Sequence, residues 1–181
     1  MPLSEQRGEG VAIGVDLVNS WDELHSEPEL LSERWLRRWL AWHRMYDAAE
    51  RVSEGDLARA RELRERLARV FDAPGEDEAV AALNELVAEV GAPPRLERDD
   101  GGWGLRAWPA EESLDAAAAR AALGLLEAVR DLGWKRFGRC AGQPCRCAFV
   151  DRSRNRSRRY CCELCADRVA QAAYRRRKSN A

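Results

Sequence analysis

Cys140-Ala-Gly-Gln-Pro-Cys145-Arg-Cys147-Ala-Phe149-Val150-Asp151-Arg152-Ser-Arg154-Asn-Arg156-Ser-Arg158-Arg159-Tyr160-Cys161-Cys162-Glu-Leu-Cys165-Ala-Asp-Arg168 is the stretch on which the reading of this chain turns. It holds all 6 cysteines and, with the run Arg175-Arg176-Arg177-Lys178 that follows it, more than a third of the Lys and Arg. Thiols and positive charge gathered in one short segment imply a metal ion beside a surface for a polyanion. The charge partition points the same way. From Trp134 onward, 14 Lys and Arg stand against Asp151, Glu163 and Asp167, a formal +11, which leaves −12 on the residues before it and hides two opposite halves behind a net −1. Four thiolates on a divalent ion bring the C-terminal figure to about +9 and keep its sign. An acidic body with a basic end is the charge pattern of nucleic-acid contact.

The first ten residues are polar and charged, and no run of 18 uninterrupted apolar residues occurs, so a cytoplasmic protein without a membrane partner is expected. In a reducing compartment, clustered cysteines read as metal ligands rather than disulfides. Cys140 and Cys145 enclose Ala-Gly-Gln-Pro, a tight turn able to wrap an ion. Ala148-Phe149-Val150 is β-prone, and a polar turn over residues 153–157 followed by Arg158-Arg159-Tyr160 predicts a hairpin. From Glu163 to Tyr174 there is no Gly or Pro, which predicts a helix whose first turn brings Cys161 and Cys165 to one face. Knuckle, hairpin and ligand-bearing helix make a treble-clef-like order. Tetrahedral Zn2+ held by four thiolates leaves no open position, so the site is structural. Spacing favours Cys140, Cys145, Cys161 and Cys165 as ligands. Cys162 in place of Cys161 keeps a two-residue gap to Cys165 and is the alternative, with Cys147 a spare buried thiol.

Upstream, the pattern is mainly helical. Val11 to Val18 is β-branched and loosely alternating, which predicts a short strand ending at Asn19-Ser20. Leu31, Trp35, Leu36, Trp39, Leu40 and Trp42 return at helical intervals with Ser32 as N-cap, giving a tryptophan-rich core face or the wall of a small-molecule pocket. Ser53 and Asp56 form a capping box ahead of a second helix, and a third spans Glu76 to Val90. Arg95 to Arg98 and Leu105 to Trp108 flank Asp99-Asp100-Gly101-Gly102 as a small hairpin, and Glu112 to Leu132 forms a fourth helix. The expected class is mainly α (α+β): a helical domain over residues 1–133 with a small hairpin, then a treble-clef-like zinc finger over 134–181.

At these residues the chain resembles a known family. Cys140-x4-Cys145, the run Phe149 to Cys161, Cys165-x2-Arg168 and Ala172-Ala173-Tyr174-Arg175 are similar to the CGNR zinc finger, named for a Cys-Gly-Asn-Arg tetrapeptide. Cys165 and Arg168 match that tetrapeptide, whereas Ala166 and Asp167 stand where Gly and Asn are usual. Asp16-Leu17-Val18-Asn19-Ser20 and the helical body resemble the ABATE domain of stress-induced transcription regulators that accompanies this finger. The resemblance implies a zinc-binding, DNA- or RNA-binding regulator.

The arginines offer the contacts. Arg152, Arg154, Arg156, Arg158 and Arg159 surround the expected hairpin, and Arg168, Arg175, Arg176 and Arg177 lie along or beyond the helix. Their planar forks suit phosphate, and Tyr174 can stack on a base. DNA is the favoured partner over RNA. The alternative is a structural zinc module that binds other proteins, its arginines answering acidic groups. A body roughly three times the size of the finger implies a further task, either sensing a small-molecule effector or forming a homodimer. No enzyme is expected. His25-Ser26-Glu27 with Pro144-Cys145 only partly matches a zinc deaminase signature, since Cys145-Arg-Cys147 stands where Cys-x2-Cys is required. His43 reads as a surface or core histidine.

Overall fold

The computed structural model of the chain describes residues 3–20, 32–99 and 102–179. The element order is α1 (Leu3–Val18), α2 (Glu33–Trp42), α3 (Tyr46–Arg51), α4 (Glu54–Asp72), α5 (Glu76–Val90), β1 (Arg95–Asp99), β2 (Gly102–Arg106), α6 (Leu114–Leu132), a 3-10 turn at Trp134–Arg136, β3 (Phe137–Arg139), β4 (Ala148–Val150) and α7 (Glu163–Ser179). The mainly α class with small β-hairpins is the class the sequence predicts. Leu31, the His25-Ser26-Glu27 triplet and the Asp100-Gly101 centre of the first hairpin lie outside the described residues.

The strand expected over Val11 to Val18 is a correction: these residues end helix α1. Their β-branched character is overridden by tertiary packing. Gly10, Val11, Ile13, Gly14, Leu17 and Val18 are buried, three and four apart as a helix face requires. The two glycines bring α1 against α6. A Cβ on Gly124 of α6 would stand 2.8 Å from the backbone of Gly10, and one on Gly10 only 2.5 Å from the carbonyl oxygen of Arg120. Backbone packs on backbone here, and any larger residue would drive the helices apart.

The local signals elsewhere act as read. Ser32 accepts the Trp35 N–H at 3.2 Å, and Ser53 with Asp56 closes its capping box. Helix α6 begins behind Ser113, whose hydroxyl accepts the Ala116 N–H at 3.1 Å. Its alanine face lies in a core with Leu36, Leu40, Leu63, Leu67, Leu83, Leu86 and Leu125. Trp35 stacks on Trp39 at 5.9 Å, but Trp42 is 80% exposed and leaves the expected tryptophan face. His43 is buried, its Nε2 lying 3.1 Å from Asp16 Oδ2 and its ring edge-on to Trp39.

A second correction concerns the finger. Strand β4 pairs backward with β3, in the register Phe137↔Val150, Gly138↔Phe149 and Arg139↔Ala148, rather than forward with Arg158 to Tyr160. The Cys140 to Cys145 knuckle is therefore the tip of that hairpin, and residues 151–160 run as a loop from β4 to α7. The reason is local. Gly138 leaves room for the Phe149 ring, which lies 3.0 Å from where its Cβ would be. Meanwhile Asp151 holds the chain away from any forward pairing, its carboxylate accepting the Ser153 N–H at 2.7 Å and the Arg158 N–H at 3.1 Å.

Candidate metal centre and basic surface

The hairpin is seated on the helical body before it presents its cysteines. Ala148 and Val150 belong to the body's core cluster, and Phe137 packs between Phe71 of α4 and Trp134, with centroids at 5.6 and 5.2 Å. Two polar clamps fix its position. Asn19, the residue immediately after α1, accepts the Ala148 N–H at 2.7 Å and donates to the Ala148 carbonyl at 3.0 Å, so its carboxamide acts as one residue of a neighbouring strand. Arg139 forks onto Asp72 at 2.6 and 2.9 Å and donates to the Ala68 carbonyl.

Beyond these clamps the four thiols converge. Cys140, Cys145, Cys161 and Cys165 offer sulfur atoms that all lie within 4.8 Å of one another, three of the residues buried and Cys161 half-buried. Four thiolates at about 2.3 Å from a tetrahedral zinc stand about 3.8 Å apart. The Cys145–Cys161 and Cys161–Cys165 sulfur separations are both 3.7 Å. The donor set and its spacing fit zinc. The sequence left Cys161 and Cys162 open, and the geometry separates them: Cys162 is exposed and outside the cluster, although its sulfur lies 3.8 Å from that of Cys161. Cys147 is half-buried, and its carbonyl accepts the Cys140 N–H at 2.9 Å.

The shell around the sulfurs is built from backbone and arginine. The Cys161 N–H reaches the Cys140 sulfur at 3.4 Å, and the Ala141 N–H bonds the Arg159 carbonyl at 2.9 Å. Arg168 donates to the Gly142 carbonyl and approaches the Cys165 sulfur at 3.8 Å, so it joins the knuckle to α7. Arg158 donates to the Tyr160 and Cys161 carbonyls and lies over the Phe149 ring at 5.2 Å. Positive groups and N–H donors aimed at ligand sulfurs stabilise the thiolates that zinc needs. Burial opposes ionisation of Cys140, but the N–H groups of Cys161 and Gly142 outweigh it and hold that thiol below its ordinary value. Burial first, with Cys145 and Cys140 adding to it, pushes Cys165 up to about 12, so metal and protons compete for the site.

Residues 12–131 match the ABATE family, described as "Putative stress-induced transcription regulator". The chain belongs to this family. Residues 136–178 match the CGNR zinc finger, and no curated protein matches the chain. The ABATE motif from Asp16 to Ser20 thus supplies the asparagine that holds the CGNR hairpin. Within the CGNR tetrapeptide, Cys165 is one of the four clustered thiols able to hold the metal and Arg168 braces it, while Ala166 is half-buried and Asp167 lies on the exposed surface of α7.

The arginines named from the sequence divide into two groups. Arg158, although exposed, and half-buried Arg168 donate to carbonyl oxygens of the finger. Arg152, Arg154 and Arg156 are exposed on the loop after β4, Arg159 lies over its neighbour Tyr160 at 5.9 Å, and Tyr174 with Arg175, Arg176 and Arg177 is exposed on α7. Sequence reasoning gave no role to Asn19, Arg139, Arg136 or Asp151. Arg136 donates to the Asp151 and Ser153 carbonyls at 3.1 and 2.6 Å, fixing the loop that carries the exposed arginines.

Proposed function

We propose that this ABATE–CGNR chain is a zinc-dependent nucleic-acid-binding transcription regulator that presents α7 and the loop over residues 152–156 to a phosphate backbone, with duplex DNA as the favoured partner. Helix α7 carries the reading. Over 17 residues it buries only Cys165, yet its last turn holds Arg176, Arg177 and Lys178 next to Arg175. Such a helix is about 25 Å long, and a major groove about 12 Å wide admits one. Among the described residues no carboxylate pairs with Arg154, Arg156, Arg175, Arg176, Arg177 or Lys178, so their donors are available to phosphate. Zinc supplies the fixed base from which α7 projects.

In the same reading the ABATE body senses a small-molecule effector. A cavity of about 340 Å3 lies between α1, α6 and the segment after β2, lined by Gly10, Met45, Trp108, Arg120 and Leu123. That volume suits a small metabolite. The reading contains no catalytic step.

The test is a titration of full-length zinc-loaded protein against labelled duplex DNA, single-stranded RNA and an acidic polypeptide at matched salt. Saturable binding to duplex DNA, with weaker RNA binding and none to the polypeptide, is expected. Binding to the polypeptide alone would replace this reading by a protein-interaction module.

A further inference from the structure

Four of the six cysteines hold the metal, and one of the remaining two stands where chemistry can reach it. Cys162 is the N-cap of α7: the first helical hydrogen bond runs from the Ala166 N–H to the Cys162 carbonyl at 3.3 Å, and its thiol is exposed. Three residues on, Cys165 is buried and is one of the four thiols placed to hold the ion. Cys162-Glu163-Leu164-Cys165 is therefore a Cys-x-x-Cys pair across the first turn of a helix, outer thiol exposed and inner thiol bound. Residues three apart in a helix have Cα atoms about 5 Å apart, within the range that a disulfide spans. Adjacent Cys161 and Cys162 have Cα atoms about 3.8 Å apart, below that range, so Cys165 is the partner of lower strain.

We propose that Cys162 is an oxidation site through which hydrogen peroxide opens the zinc centre. The Cys162 sulfur attacks one peroxide oxygen, the O–O bond breaks, and the departing oxygen leaves as water with the thiol proton; Cys162 becomes a sulfenic acid. The Cys165 sulfur then leaves zinc and attacks the Cys162 sulfur. The S–O bond breaks, and hydroxide takes a solvent proton to become water. Two thiol sulfurs have lost two electrons, the peroxide has gained them, and zinc is left with Cys140, Cys145 and Cys161. The contact of Arg168 with the Cys165 sulfur is lost in the same step, which leaves the Arg168 bond to the Gly142 carbonyl to join the knuckle to α7 without a Cys165–zinc link beside it. A thiol reductant reverses the change. This assignment rests on the zinc centre and holds whether or not the finger binds nucleic acid.

The experiment treats full-length zinc-loaded protein with hydrogen peroxide, follows zinc release with a colorimetric chelator, and maps thiols by differential alkylation and mass spectrometry. Residues 160–168 form one tryptic peptide that contains Cys161, Cys162 and Cys165. Zinc release should accompany loss of two hydrogens from that peptide, with Cys161 still open to alkylation and fragment ions placing the bond between Cys162 and Cys165. Cys162→Ser should slow release at least about tenfold, and Cys147→Ser should leave the rate unchanged. Equal rates in wild type and Cys162→Ser would overturn the assignment. Should the serine variant load no zinc, the wild-type map decides: a bond joining Cys140 to Cys145, or one involving Cys147, would overturn it equally.

Discussion

Replacing Asn19 by Ala removes the carboxamide that bonds both backbone groups of Ala148. That residue is 1% exposed, so its N–H and carbonyl lose partners with little water to replace them. A buried unsatisfied polar group costs about 1–3 kcal/mol, and with Asn19 half-buried the pair should cost about 2–4 kcal/mol. This is a large share of a total stability of about 5–15 kcal/mol. In urea, with an m-value of about 1–3 kcal/mol/M, the midpoint should fall by about 1–2 M. Parallel unfolding curves by tryptophan fluorescence and by zinc release provide the assay. In the wild type the two should coincide, because Ala148 and Val150 share the core of the helical body. In the variant, zinc release should move to lower urea than the body's transition. Asn19→Asp keeps the acceptor and loses the donor, so it should fall between the two. A change below about 0.5 kcal/mol with coincident curves would refute the idea that this residue couples the ABATE body to the finger.

Cys161→Ser should lose stoichiometric zinc while Cys162→Ser retains it, measured by metal analysis of purified protein; the reverse would place the ligand register one residue later. Arg158→Ala should destabilise the finger in a zinc-competition assay because its guanidinium holds two carbonyls, whereas Arg154→Ala with Arg156→Ala should weaken DNA binding at unchanged stability. Hydrogen bonds from Ser153, with the Arg158 N–H and the Arg136 charge, hold the Asp151 carboxyl below its ordinary value against the opposing effect of burial. Its stabilising contribution is present above the unfolded-state value and is lost as pH falls through the lower folded one. Asp151→Asn should therefore be less stable at pH 7, with the difference from wild type closing below about pH 4 in acid unfolding of metal-free protein.

Much of the site was legible because zinc imposes spacing on sequence. Cys140, Cys145, Cys161 and Cys165 could be chosen before any geometry was known, and only Cys162 competed. Spacing could not separate Cys161 from Cys162, since the difference is which thiol turns inward at the start of α7. The helices with caps and apolar stripes were equally readable. Helix α1 was not, because Val11, Ile13 and Val15 carry strand propensity and the contrary signal lies in Gly10 and Gly14, whose value appears only when α6 sets Gly124 opposite the first and Ala121 with Leu125 opposite the second. The β3–β4 pairing was hidden by length: each strand has 3 residues, too few to show a period, and the register depends on Gly138 facing Phe149. Arginine roles depend on direction, which charge counting lacks. Arg158 and Arg159 are adjacent and identical in sequence terms, yet only the guanidinium of the former reaches the carbonyl oxygens of Tyr160 and Cys161.

The most direct measurement of the nucleic-acid reading is the salt dependence of duplex DNA binding by full-length protein and by a chain ending at Ala173. With about 100° between successive residues, Arg175, Arg176, Arg177 and Lys178 are spread around α7, so roughly two or three of them face one duplex at a time. Together with Arg152, Arg154 and Arg156, this gives about five phosphate contacts and a slope of log affinity against log salt of about −4 to −5. The shortened chain should retain zinc and its unfolding midpoint, with a slope flatter by about 2–3 units. A slope unchanged by the truncation, or full-length binding that does not depend on salt, would contradict the account.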